Sequence, residues 1–136
     1  MENKIKPKRL VYMNGEFVTE QNAKISIFDS ALMFGDMVFE MTRSFNQEQF
    51  KLREHLERLY MGIKLLHIPI NMTIDEMERA CLDTIEKNKP AFDKHDEHRL
   101  MINVSRGPLG LYAPVFDGKL EPTVVIADFP LKWTVA

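Results

Sequence analysis

Cysteine is nearly missing from this 136-residue chain: Cys81 stands alone, so no internal disulfide can form and a small fold held by oxidised staples is excluded. A surplus of one charge is missing as well. Eighteen Lys and Arg against 20 Asp and Glu leave a net charge of −2, which argues against a protein that wraps a polyanion, so nucleic acid is not expected as a partner. No apolar run approaches the roughly 20 residues of a membrane-crossing helix. Behind Lys4, Lys6, Lys8 and Arg9 only Leu10-Val11-Tyr12-Met13 precedes Asn14-Gly15, too little for the core of a signal peptide. The expectation is a cytoplasmic chain with no membrane partner, in which the sequon Asn103-Val104-Ser105 carries no chemistry. A P-loop, a dinucleotide fingerprint and a G-x-S-x-G elbow are also lacking. What is present is core material: 45% of the residues are apolar and 28% charged, enough to hide roughly two-thirds of the extended surface.

Local patterning gives the order of elements. Leu10–Met13 and Glu16–Val18 flank Asn14-Gly15, a pair suited to a two-residue hairpin turn. Lys24–Ile27 and Val38–Arg43 alternate apolar with polar and predict half-buried strands, the second turning at Asn46–Gln49 into Phe50–Leu52. From Leu52 the period changes. Leu52, Leu56, Leu59, Ile63 and Leu66 form one stripe of a helix that Pro69 must end. Thr73 and Glu76 make a capping box for a second helix, with Ile74, Met77, Cys81 and Ile85 inside and Pro90 beyond its end. Leu100–Val104 and Thr123–Ala127 read as late strands. Strands, two helices, then strands predict an α+β fold, a two-layer sandwich of a mostly antiparallel sheet and two helices. A basic tail is expected over residues 1–9 and a single domain over 10–130.

Several groups invite chemistry and do not earn it from sequence. His95 and His98, among Asp93, Asp96 and Glu97, have no second ligand group at convincing spacing, so a solvated loop is expected and no metal. Gly107-Pro108-Leu109-Gly110 reads as a tight turn, and Cys81, on an apolar helix face, as core. His55 and Arg58 share a helix face near the helix start, where a planar guanidinium and free amides suit an anion. An arginine on an amphipathic helix is as a rule a solvated or salt-bridged residue, so the helix alone leaves both readings open.

Context narrows the choice. Asn14-Gly15-Glu16, Ile25-Ser26-Ile27-Phe28-Asp29, Phe34-Gly35-Asp36-Met37-Val38-Phe39-Glu40, Arg43 and His55-Leu56-Glu57-Arg58-Leu59 occur in that order over most of the chain. This series resembles the N-terminal small domain of the class IV, fold-type IV aminotransferases, the branched-chain aminotransferase family. The resemblance implies pyridoxal 5′-phosphate as the cofactor of a longer parent protein, amino-acid and 2-oxo-acid substrates, and a homo-oligomer. It places Arg58 on the cofactor phosphate. It places Phe34 and Phe39 on the walls of the substrate pocket, Phe34 reaching a neighbouring subunit's site. Arg43 and Arg99 fall where the side-chain carboxylate of a glutamate donor is received, and Gly107 to Gly110 on a loop over the pocket.

The departures from that pattern carry information too. Phe34 lacks the hydroxyl of the commoner tyrosine, and Met41 stands where glycine is frequent, which narrows or redirects the pocket. Leu111 and Ala113 stand where D-amino-acid members carry Arg and His, disfavouring a D-specific carboxylate trap, whereas Ser105-Arg106-Gly107 is similar to the aminodeoxychorismate lyases. None of the eleven lysines has the context of the lysine that binds the cofactor covalently in the family. The expectation is therefore a fragment without catalytic residues of its own and without tightly bound cofactor, residues 131–136 opening the connection to a large catalytic domain. The parent activity expected is transfer between a branched-chain or other hydrophobic L-amino acid and 2-oxoglutarate. The alternatives are a lyase of the same superfamily or a non-catalytic homodimerising domain.

Overall fold

A computed structural model describes residues 5–134 of the chain; residues 1–4 of the expected basic tail and 135–136 of the expected connection lie outside them. The strands are β1 (Leu10–Met13), β2 (Glu16–Thr19), β3 (Met37–Phe45), β4 (Glu48–Gln49), β5 (His98–Ser105) and β6 (Thr123–Pro130). The helices are α1 (Ser30–Phe34), α2 (Leu52–Leu65) and α3 (Ile74–Asn88). All strand pairs are antiparallel, and the sheet runs β2-β1-β6-β5-β3-β4. The α+β sandwich of a sheet under two long helices is thus the observed architecture.

Alternation decides which face is covered. Val38 of β3, Leu100, Ile102 and Val104 of β5, and Val124 and Ile126 of β6 face the helices and meet Leu56, Leu59, Ile63, Met77, Cys81 and Ile85 in one core. Each fully buried aliphatic side chain there contributes about 1.5–3 kcal/mol. Gly62 lets α2 lie close on β3, since a Cβ on it would come 2.9 Å from Val38 Cγ1. The Thr73–Glu76 capping box starts α3 as expected. At the other end of α3 Asn88 is pinned to β1, its Oδ1 accepting from Leu10 N at 2.7 Å and its Nδ2 donating to Leu10 O at 2.9 Å. Burial pushes the Cys81 thiol up to about 12, so it is inert core.

Three local expectations give way to tertiary context. Lys24–Ile27 forms no strand: Ser26 instead turns the chain, its Oγ accepting from Phe28 N and its carbonyl from Asp29 N, both at 3.0 Å. The strand after the Asn46-Gln47 turn is only two residues long, because Lys51 adopts a left-handed conformation (φ 55°) and α2 begins at once. His98 is not a loop residue. It opens β5, almost wholly buried, with Nδ1 2.9 Å from the Asp128 carboxylate and its ring stacked 3.9 Å from Phe92.

Candidate functional site

The face of the sheet away from α2 and α3 is laid out in rows by the strand register. Arg43, Arg99 and Phe129 are direct partners across β3, β5 and β6; Met41, Met101 and Ala127 form the next row, then Phe39, Asn103 and Val125, then Met37, Ser105 and Thr123. Successive rows lie about 7 Å apart, two residues along a strand. The result is a basic end, an apolar middle and a hydroxyl-bearing end on one surface. Phe39 is 62% exposed there.

The basic end is chemically unusual. Like charges directly opposite each other weaken a sheet by up to about 1 kcal/mol, yet Arg43 and Arg99 are such a pair. Arg43 Nε donates to Ser44 O at 3.0 Å and its guanidinium carbon lies 3.7 Å from the Phe45 ring centre. Arg99 Nε is buried with no partner. Among the described residues no carboxylate lies in salt-bridge range of either guanidinium. Two uncompensated cations with donors to spare can receive an anion, and a carboxylate suits their planar forks.

Arg58 occupies a different place. It projects from α2 to Glu40, which lies on the helix-bearing side of β3, one residue from Phe39 on the bare side. Glu40 Oε1 accepts from Arg58 Nε, and Oε2 accepts from Arg58 Nη2 at 2.8 Å while lying 2.8 Å from His55 Nδ1. The carboxylate is buried and the arginine side chain 71% exposed. Hydrogen bonding from Arg58 holds the Glu40 carboxyl below its usual range, His55 adding to the effect, and the same bond pushes Arg58 up. A guanidinium has five N–H donors. Glu40 takes one edge and fixes its plane, and the Nη1 donors remain for a further anion. The sequence reading named Arg58 but gave Glu40 no role; the signal available was an acidic residue at an inward position of an alternating strand.

The structure therefore brings Phe39, Arg43 and Arg99 together on one face, and sets Arg58 at the edge of β3 on the other. Phe34 ends α1, 64% exposed. Gly107 starts its loop in a left-handed conformation (φ 78°), and a Cβ there would collide with the Glu121 carbonyl oxygen. Gly110, in contrast, has open space beside it and begins a 3-10 helix that runs to Phe116. Arg106, the lyase-like residue, points away from the bare face. Its guanidinium pairs with Asp36 and donates to Leu66 O and His67 O, closing the end of α2.

Comparison with known proteins bears on this arrangement. Residues 37–135 match the family described as amino-transferase class IV. A Methanocaldococcus jannaschii protein provisionally named a branched-chain-amino-acid aminotransferase is 39% identical over 122 residues, 89% of this chain and 40% of that protein. The branched-chain-amino-acid aminotransferase of Escherichia coli is 37% identical over 82 residues, 57% of this chain and 26% of that one. A D-alanine aminotransferase of Staphylococcus epidermidis is 37% identical over 78 residues, 57% of this chain and 28% of that one. A solved structure of the Escherichia coli branched-chain enzyme superposes with a TM-score of 0.74 at 29% identity, covering 93% of this chain and 42% of that one. The chain belongs to the class IV aminotransferases, and it spans well under half the length of the relatives it matches.

Proposed function

We propose that this chain is the small domain of a pyridoxal-phosphate-dependent aminotransferase that exchanges amino groups between a branched-chain or other hydrophobic L-amino acid and 2-oxoglutarate. The observation that carries the reading is the unneutralised Arg43–Arg99 pair beside an apolar surface. A site serving both a dicarboxylate and an apolar amino acid needs a cationic end and an apolar end within one substrate length. The Arg43/Arg99 row and the adjoining Met41/Met101 row, about 7 Å away, provide that sequence, and Phe39 extends the apolar side one row farther. Identity to the relatives does not separate L from D substrates, but Leu111 and Ala113 offer neither guanidinium nor imidazole for a D-specific trap.

Pyridoxal 5′-phosphate suits the donor set at the β3 edge: Arg58, its plane set by Glu40, would hold the phosphate through the donors that Glu40 leaves free. When bound, the cofactor supplies a ring that takes up the electron pair left when the substrate's α C–H bond breaks. The domain itself contributes placement. Arg43 and Arg99 receive the distal carboxylate, Phe39 and Phe34 exclude water from the apolar side, and the loop from Gly107 to Gly110 covers the pocket. In this reading residues 10–130 are the domain, and the connection to a catalytic portion opens at residue 131. None of the bare-face residues of β3, β5 or β6 is a lysine, so covalent attachment of the cofactor falls to that portion.

The test is glutarate or 2-oxoglutarate titrated into the chain and followed by arginine side-chain NMR. Saturable shifts at Arg43 and Arg99, lost in Arg43→Met and in Arg99→Met, are expected. Unchanged spectra, or equal binding by both variants, overturn the assignment.

A further inference from the structure

We propose that Asp29 is a positioning residue of the substrate pocket, its buried carboxylate tying the segment that carries Phe34 to the loop of Gly107 and Gly110 so that both enter the site as one unit. The proposal rests on the reading that these two segments line the pocket. Asp29 is 2% exposed and has no cationic partner among the described residues. A buried carboxylate survives only when donors surround it, and here three elements supply them. Asp29 Oδ1 accepts from Ala31 N at 2.9 Å, at the start of α1, and from Ser105 Oγ at 2.7 Å, at the end of β5. Oδ2 accepts from Thr123 Oγ1 at 2.5 Å, at the start of β6.

Two of these partners lead directly to the pocket segments: Ala31 lies in the helix that Phe34 ends, and Ser105 precedes the Gly107 loop. Ser105 Oγ in turn accepts from Gly107 N at 3.1 Å, and Ser30 N donates to Gly107 O at 3.0 Å. Asp29 also forms an isolated antiparallel bridge with Pro108. Farther along, Phe28 stacks on Tyr112, ring centres 4.7 Å apart, and so joins the residue before Asp29 to the 3-10 helix that Gly110 begins. On the bare face a recess of about 190 Å³ is lined by Asp29 and Ala31 together with Met37, Asn103 and Val125. The carboxylate adds side-chain bonds to the Ser30–Gly107 backbone bond, the Asp29–Pro108 bridge and the Phe28–Tyr112 stack, and it alone draws in β6 through Thr123. With it, Phe34 and the covering loop share one position.

Thr123→Val removes one donor at nearly constant volume, and Ser105→Ala removes another, so each loosens the node without deleting it. Hydrogen exchange on the chain should show the amides of Ala31 and Gly35 and those of Gly107 and Tyr112 speeding up together, about tenfold, with Leu56 and Met77 in the helices unchanged. Acceleration of one segment alone, or of the helices equally, overturns the coupling. In the amino-transfer assay of the enzyme containing this chain, Phe34→Ala and Thr123→Val should raise substrate KM by comparable factors, with kcat within about twofold. Asp29→Asn, whose amide can still meet all three partners, should keep most of the affinity that Asp29→Ala loses. If Phe34→Ala raises KM and Thr123→Val does not, the positioning role fails while the pocket reading stands. If Phe34→Ala has no effect, the pocket reading itself fails and takes this role with it.

Discussion

At Glu40 and Asp128 the same residue class, a carboxylate buried in the helix-facing layer, responds to pH in opposite directions because the neighbours differ. Arg58 and His55 stabilise the Glu40 anion and hold its pKa below the ordinary 4.5. Glu40 therefore contributes stability that is present above 4.5 and lost as pH falls toward and through its lowered value. Desolvation dominates at Asp128 and raises its pKa above the ordinary 3.8, the His98 bond opposing only in part. In the window above 3.8 the native state holds the extra proton, so this residue's contribution falls as pH rises. Melting temperatures between about pH 3 and 7 should show the acid-side loss flattened in Glu40→Gln and the opposite slope removed in Asp128→Asn. Arg99→Met should leave the fold as stable as before or slightly more so, by up to about 1 kcal/mol in urea unfolding, because it removes a like-charge pair. Gly107→Ala should cost at least about 2 kcal/mol, since it adds both a left-handed strain and a clash with Glu121.

Among the elements, those whose signal is local were legible and those needing a partner were not. The Thr73–Glu76 box specifies the start of α3 through bonds only three residues apart, and the structure shows both. Thr73→Ala should lower stability by about 1 kcal/mol, measurable by thermal or denaturant unfolding. Lys24–Ile27 alternates as well as Val38–Arg43 does, yet only the latter is a strand, because β3 has β5 to pair with whereas Lys24–Ile27 pairs with no strand. Likewise His98 reads locally as a loop residue, because nothing nearby in the chain shows that Asp128, thirty residues later, meets its imidazole.

For the whole molecule the consequence of alternation is a sheet covered on one side. The other side and its flanking loops expose Phe34, Phe39, Phe45, Ile27, Leu111 and Trp133, more apolar surface than a solitary domain usually presents. The isolated chain should therefore self-associate, with a sedimentation coefficient that rises with concentration, and Phe39→Ser with Phe45→Ser should suppress the rise.

Sequence alone determined the periodicities, the hairpin turn and the cap of α3, because each depends on residue type and near neighbours, and its resemblance to a known family singled out Arg43, Phe39, Arg58 and Arg99 as candidates. Tertiary structure alone decided that Arg43 and Arg99 stand side by side without a counter-ion, that Glu40 orients Arg58, and that Asp29 joins three segments. Those facts arise from pairing register and burial between residues far apart in the chain, and no local pattern encodes which distant partner a side chain will face.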